Sequence, residues 1–110
     1  MNVRLLHGDC LAGLKALPEN SIEALVTDPP YGLSDHSPDE VIEALSCWLK
    51  SEVYTGKKRG FMSAAWDAFV PGPEIWKEVF RVLKPGAYGL VFAAPRTQDL
   101  MGIALRLAGF

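Results

Sequence analysis

Apolar residues along this chain follow two spacings, one typical of helices and one typical of strands. In four stretches they recur every three or four residues, as they do on one face of an α-helix; these are residues 10–17, 38–50, 73–84 and 98–108. Three shorter runs predict strands at residues 3–6, 22–26 and 87–94. The second and third runs are almost continuously apolar, as in parallel strands that helices cover on both faces. The order of these elements predicts an α/β domain with a mainly parallel sheet and flanking helices.

Residues that start and stop helices support these boundaries. Ser37, followed by proline and then by Glu40, forms a capping box that starts the second helix. Thr97 is placed to cap the last helix. Pro85 and Gly86 should end the third helix before the last predicted strand begins.

Length and composition set the general class of protein. A chain of 110 residues with 49% hydrophobic and 22% charged residues is at most one ordinary globular domain, here residues 1–110. No apolar run approaches the roughly 18 residues of a membrane span, and Arg4 and His7 interrupt any signal-peptide core. Cys10 and Cys47 have neither metal-ligand spacing nor a disulfide framework. Free thiols in a cytoplasmic protein with no metal site are therefore expected.

The net charge of −2 limits how this chain could bind nucleic acid. Non-specific affinity for DNA comes mostly from Lys and Arg side chains that neutralise phosphates, and a self-sufficient DNA-binding module is usually basic. If DNA is the substrate, much of the binding surface must lie elsewhere.

The most informative stretch, Thr-Asp-Pro-Pro-Tyr-Gly at residues 27–32, follows the second predicted strand. A residue before proline is excluded from the helical region, so Asp28 and Pro29 must both be extended. Pro29 and Pro30 have no N–H to donate. The Asp28 carboxylate and the Pro29 carbonyl are thus two acceptors next to the ring of Tyr31. A plain strand-to-turn junction, for which Asp and Pro are common residues, is the alternative interpretation.

Two acceptors beside an aromatic ring suit a flat heteroaromatic base that bears an exocyclic amine. Tyr31 can stack on the base, an interaction worth roughly 1–3 kcal/mol. The lone pair of such an amine is delocalised into the ring, which makes the nitrogen a poor nucleophile. Asp28 and the Pro29 carbonyl, each accepting one N–H, favour a pyramidal nitrogen whose lone pair is free to attack.

Asp-Pro-Pro-Tyr at residues 28–31 resembles the catalytic motif of the DNA methyltransferases that modify adenine N6 or cytosine N4 with S-adenosylmethionine. Other parts of the chain extend the resemblance: Gly-Asp-Cys at residues 8–10, Gly-Phe-Met at 60–62, Trp-Asp at 66–67 and Arg-Val-Leu-Lys-Pro-Gly at 81–86. The succession is similar to the subgroup in which the cofactor motif comes last.

The resemblance implies roles for particular residues. Asp28, Pro29, Pro30 and Tyr31 would be the catalytic motif, and Asp28 would also help to bind S-adenosylmethionine. Asp9 would contact the adenosyl part of the cofactor, although a helix N-cap explains this residue equally well. No role follows from the sequence for Trp66 or Asp67.

Four basic residues are candidates for contact with DNA phosphates. They are Lys57, Lys58 and Arg59, beside glycines in a predicted loop, and Arg96 at the end of the last predicted strand. Solvated surface side chains are the alternative interpretation for all four.

The Phe-x-Gly-x-Gly cofactor signature of this family is absent from the 110 residues. Two strands of the family's sheet also have no counterpart among the predicted elements. The fold expected from the resemblance is therefore a partial Rossmann-like methyltransferase fold that lacks the cofactor-motif strands. A C-terminal half, a second chain or a homo-oligomer is expected to complete it.

The predicted function is transfer of a methyl group to the exocyclic amine of a flipped base in DNA. Adenine N6 is favoured because Asp28 stands where cytosine-N4 enzymes of this kind usually carry Ser. Methylation of RNA or of a protein amide is one alternative, although that group usually has Asn at this position. An inactive remnant that acts as a folding or binding unit is the other.

Overall fold

The four predicted helices and two of the three predicted strands form in the predicted order. The computed structural model describes residues 2–56 and 65–110. Its elements are α1 (Cys10–Lys15), β1 (Ile22–Thr27), α2 (Pro38–Leu49), a 3-10 turn (Ala65–Asp67), α3 (Pro73–Val82), β2 (Leu83–Val91) and α4 (Gln98–Ala108). The α/β class is thereby confirmed.

Within the described residues, the sheet consists of β1 and β2, which pair in parallel. Ile22 lies opposite Leu83, and the register then shifts so that Ala24 lies opposite Tyr88. The prediction that α3 continues to residue 84 was wrong, because Leu83 is already extended, with a ψ of 137°. Pro85 lies in the irregular part of β2 rather than after a helix. Proline is tolerated at such irregularities because no ladder hydrogen bond is lost there.

The predicted strand at residues 3–6 was wrong. Residues 2–7 have no strand assignment, and the side chains of Val3, Leu5 and Leu6 are 79%, 90% and 56% exposed. An extended segment becomes a strand only when a neighbouring strand bonds its N–H and C=O groups. In the described structure β1 and β2 pair with each other, and neither pairs with this segment.

The prediction that helices cover both faces of the sheet was also wrong. Val26, Tyr88, Leu90 and Phe92, which alternate along β1, β2 and the residue after it, are 70%, 86%, 64% and 56% exposed. Leu25 and Val91, on the opposite face, pack against the core. Among the described residues, helices therefore cover one face of the sheet, and the opposite, apolar face, defined by these four residues, is open.

The core lies between the covered face of the sheet and helices α2, α3 and α4. Its buried side chains include Trp48, Trp76, Val79, Leu100 and Met101. Trp48 is 4% exposed, which confirms the prediction from helical spacing that it is a core residue. Within residues 2–56 and 65–110, no helix has the length and apolar character needed to cross a membrane.

Helix starts agree with the sequence in one case and differ in another. Ser37 and Glu40 form the predicted capping box, with Glu40 Oε2 accepting from the Ser37 N–H at 2.8 Å and Ser37 Oγ from the Glu40 N–H at 3.3 Å. Thr97 is the N-cap residue of α4, but its side chain caps nothing. The hydroxyl instead donates to the carbonyl of Tyr31 at 2.6 Å. Thr97 therefore makes a long-range hydrogen bond in place of the predicted helix cap.

Arg81 joins α1 to α3. Its guanidinium donates to the carbonyls of Leu14 and Leu17 at 3.0 and 3.1 Å and to the Glu78 carboxylate at 2.8 Å. The last carbonyls of a helix lack their usual helical partners, and the arginine adds donors there, beside the Leu17 N–H that already donates to the Leu14 carbonyl at 3.0 Å. None of the six residues of this helix is fully buried, although Leu14 packs against the core.

Arg81→Ala is expected to lower the free energy of unfolding by about 1.5–3 kcal/mol, the range for hydrogen bonds to charged groups. Urea denaturation followed by circular dichroism measures this loss. Arg106→Ala is the matched control, because Arg106 is an exposed arginine in the last turn of α4. The control should lose less than about 1 kcal/mol, its helix-dipole contribution. Equal losses in the two variants would contradict this role for Arg81.

Candidate functional site

Asp28 lies directly after the carboxyl end of β1, next to the carboxyl end of β2. The two ends are in register, since Thr27 lies opposite Val91 and the Phe92 N–H donates to the Thr27 carbonyl at 3.1 Å. Asp28 is exposed, while Pro29 and Pro30 are half-buried. Ligands of open α/β sheets bind outside the carboxyl ends of the strands, so Asp28 lies where such a sheet presents ligand-binding groups.

The side chain of Tyr31 contacts Asp28, three residues before it. Its hydroxyl donates a hydrogen bond to Asp28 Oδ1. Acceptance of this bond by the carboxylate, together with partial desolvation, raises the pKa of Tyr31 above its ordinary value. The hydrogen bond keeps the Tyr31 ring beside the carboxylate.

The segment after Tyr31 is held from two distant parts of the chain. The Tyr31 carbonyl accepts from Thr97, and Ser34 Oγ donates to the Ala68 carbonyl at 2.7 Å. Arg96 Nη2 donates to the Leu33 carbonyl at 3.2 Å. These bonds anchor residues 31–34 to the start of α4 and to the residues that follow the 3-10 turn.

Asp67 makes the most buried of these contacts. Its side chain, in a residue only 6% exposed, accepts from the Gly32 N–H at 2.9 Å and more weakly from the Leu33 N–H at 3.4 Å. Gly32 has a φ of +63°, and a Cβ there would lie 2.7 Å from the backbone nitrogen of Val70. Only glycine permits both this backbone conformation and this close approach.

A pocket of about 520 Å³ adjoins the motif. Its lining is mainly apolar and includes Pro29, Pro30, Phe69 and Trp66, with Asp28 contributing the carboxylate. The Trp66 side chain is 73% exposed. Aromatic and apolar walls with the Asp28 carboxylate are suited to a flat ring that bears a hydrogen-bond donor.

Comparison with known proteins assigns no family. No family model matches the chain, and no solved structure matches it significantly. The functional interpretation therefore depends on the residues of the site and their geometry.

The structure places Asp9, the other acidic candidate, in a separate location. Its carboxylate accepts from the Ala12 N–H at 2.9 Å and so caps α1, as the simpler interpretation predicted. Asp9 lines a neighbouring pocket formed by residues 4–17. Cys10 and Leu14 line both pockets, so the pocket that Asp9 lines adjoins the one that Asp28 lines.

Of the four basic candidates, the structure describes only Arg96. It was predicted to lie at the end of the last strand, but β2 ends at Val91 and Arg96 is exposed in the turn before α4, where it pairs with the Asp35 carboxylate at 3.2 Å. Lys57, Lys58 and Arg59 lie outside the described residues. Within the described ranges, no cluster of three or more His, Cys, Asp or Glu side chains could hold a metal ion.

Sequence reasoning missed the residues that hold the motif in place. Thr97 was predicted only as a helix cap, and Asp67 was assigned no role. His36, whose Nε2 lies 3.1 Å from the Gly32 carbonyl and whose ring packs 4.6 Å from that of Phe69, was not considered. The Trp-Asp pair at residues 66–67 was the one available signal for this shell of contacts.

Proposed function

We propose that this chain is the catalytic part of an S-adenosylmethionine-dependent methyltransferase that modifies the exocyclic amine of a flipped base in DNA. The observation that carries the proposal is the position of Asp28, exposed at the carboxyl end of a parallel strand, hydrogen-bonded to Tyr31 and lining an apolar pocket. A motif that only formed a turn would have no need of this pocket or of the contacts that hold its far end.

Asp28 and the Pro29 carbonyl have the chemistry to orient an amine. The carboxylate accepts one N–H, and the carbonyl, which proline leaves outside any helix, accepts the other. Both acceptors favour a pyramidal nitrogen whose lone pair points at an electrophile. Fixed acceptors of this kind stabilise developing charge without reorganising during the reaction. Asp28 is therefore assigned to orientation rather than to removal of a proton from the neutral amine.

Tyr31 and Pro30 shape the space for the base. The Tyr31 ring stacks on a bound base, and Pro30 makes part of the pocket wall. In the free protein the Tyr31 hydroxyl already bonds Asp28 Oδ1. A base that uses Asp28 must therefore take the other carboxylate oxygen or displace this hydroxyl. The ring is then held beside the Asp28 carboxylate before the substrate arrives.

The residues present fit only part of S-adenosylmethionine, which when bound would supply an electrophilic methyl group. Asp28 and the apolar pocket wall fit the chemistry of a nucleoside ligand, and Asp9 lines the adjoining pocket. The glycine-rich turn that lets a backbone approach the methionine end is absent from the sequence. We propose that residues outside these 110 complete a Rossmann-like cofactor site.

Adenine N6 is the proposed target, and DNA is the proposed partner. Base flipping exposes an amine that is otherwise paired within the duplex. Arg96 and the basic run at residues 57–59 are proposed phosphate contacts. Their number is small for a chain of net charge −2, so further contacts with DNA are assigned to whatever completes the enzyme.

The test is to express the natural protein that carries this sequence in a methylation-deficient bacterial host and to digest the host DNA to nucleosides. Mass spectrometry should then detect N6-methyladenine. N4-methylcytosine would overturn the choice of base while leaving the amine chemistry in place. Methylated RNA or a methylated protein amide, with unmodified DNA, would transfer the chemistry to that alternative substrate. No methylated product of any kind would favour the inactive remnant.

A further inference from the structure

We propose that Asp67 is a positioning residue that holds the turn after Tyr31, and through it the Asp28–Tyr31 pair, in the geometry that amine methylation requires. The inference rests on the proposed function for its catalytic consequence. The contacts that carry it are independent of that function.

The turn offers a concave site that a carboxylate fills. Gly32 adopts a left-handed φ of +63°, so its N–H and that of Leu33 lie within reach of the same side chain. The two carboxylate oxygens of Asp67 each accept one of these groups, at 2.9 and 3.4 Å. Successive backbone N–H groups around a left-handed residue form a natural anion site. Asp67 therefore binds the turn as an internal anion.

Because Asp67 is buried, loss of its hydrogen bonds to the turn is costly. Asp67 is 6% exposed, and a charge taken out of water is costly unless it is well hydrogen-bonded. Loss of the carboxylate would leave the buried Gly32 N–H without this partner, and the turn would have to shift to recover one. Because Gly32 directly follows Tyr31, any such shift moves the Tyr31 ring away from Asp28.

Other contacts of the same segment constrain it differently. Thr97 holds the Tyr31 carbonyl, His36 contacts the Gly32 carbonyl, and Arg96 holds the Leu33 carbonyl and pairs with Asp35. All three therefore act on backbone acceptors. Asp67, by contrast, accepts from the backbone N–H groups and so restrains the side of the turn that the other contacts leave free to move.

Ser34 provides a matched control. Its hydroxyl donates to the Ala68 carbonyl at 2.7 Å and so joins the same two segments as Asp67 does. Ser34→Ala removes a hydrogen bond between those segments but leaves the Gly32 and Leu33 N–H groups bonded. A general loosening of the interface would affect both variants alike, whereas positioning through the turn is specific to Asp67.

The first measurement needs no enzymatic activity. The Cζ carbon signal of Tyr31, resolved by NMR in the 110-residue chain, is followed as the pH rises. In the wild type the hydrogen bond to Asp28 raises the pKa of Tyr31. Asp67→Ala should return this pKa toward its ordinary value, and Asp67→Asn, which keeps one acceptor oxygen, should do so in part. Ser34→Ala should leave the pKa of Tyr31 unchanged.

The second measurement uses methylation by the natural protein. Asp67→Ala should lower kcat by about 10- to 100-fold, since misplacement of reacting groups by about 1 Å costs up to a hundredfold. The KM for S-adenosylmethionine should stay close to that of the wild type, because the change displaces Tyr31, whereas Asp28, the proposed cofactor contact, stays at the end of β1. Ser34→Ala should retain most of kcat.

The outcomes separate the two proposals. If the pKa of Tyr31 responds to Asp67 but the wild type methylates nothing, positioning of the pair stands and the proposed function fails. An unchanged pKa of Tyr31 in a folded Asp67→Asn variant overturns the positioning role, whether or not methylation occurs. An equal response to Ser34→Ala also overturns it. If Asp67→Ala does not fold, Asp67→Asn decides the question.

Discussion

Replacement of Asp28 by alanine in the natural protein should abolish methylation while the fold survives. Asp28 is exposed at the end of β1, and it contributes to the fold through an exposed hydrogen bond with Tyr31. Removal of one preorganised hydrogen-bond partner from a reacting group typically lowers kcat by about 100- to 1,000-fold. A comparable or larger loss is expected here because Asp28 is also a proposed contact of the cofactor.

The measurement is methyl transfer from radiolabelled S-adenosylmethionine to DNA, with circular dichroism and urea denaturation as tests of the fold. Asp39→Ala is the matched control, since it removes the same charge from the exposed first turn of α2. The control should keep near-wild-type activity. Substantial methylation by a folded Asp28→Ala variant would remove Asp28 from the mechanism.

The isolated 110-residue chain is expected neither to bind S-adenosylmethionine in the micromolar range nor to remain monomeric. Asp9 and Asp28 lie in separate pockets, and the glycine-rich turn is absent from the sequence. The open face of the sheet bears Val26, Tyr88 and Leu90, each more than half exposed. Apolar patches of this kind mark interaction surfaces, and unpaired strand edges invite pairing with another chain. A second copy of the chain can cover the apolar face and pair with a strand edge at the same time.

Isothermal titration with the cofactor and light scattering of the purified chain test the two parts separately. Leu90→Lys, on the open face, should shift the chain toward monomer. Ile42→Lys is the control, because Ile42 is 61% exposed on α2, away from the sheet. Micromolar cofactor binding by a monomer would contradict the proposal that residues outside these 110 complete the site. Association that Leu90→Lys leaves unchanged would rule out the open face as the contact.

Prediction from sequence was most accurate where the determining interactions are local. The spacing of apolar residues predicted the bounds of α4, Gln98–Ala108, and Gly109, which follows it, is in the left-handed conformation. The capping box at Ser37 also formed as predicted. A helix is set largely by contacts within four residues and by its end groups, so its signals lie next to one another in the sequence.

Signals in the local sequence do not determine how strands pair. The runs that form β1 and β2 pair with each other although some sixty residues separate them in the sequence. Residues 3–6 were predicted to be extended in the same way, but they form no strand in the described structure. Strand pairing depends on which edge is available, and that is decided by the packing of the whole chain. The prediction that helices cover both faces of the sheet was wrong for the same reason.

The candidate site divides in the same way. The sequence alone determined the extended Asp-Pro-Pro-Tyr motif and its position after a strand, because proline restricts its neighbours wherever it occurs. Only the tertiary structure decided that Asp67, 35 residues away, binds the Gly32 N–H, and that Thr97, 66 residues away, binds the Tyr31 carbonyl rather than capping its helix. A buried polar group bonds whichever partner the packed chain brings within reach, and no local pattern in the sequence records that choice.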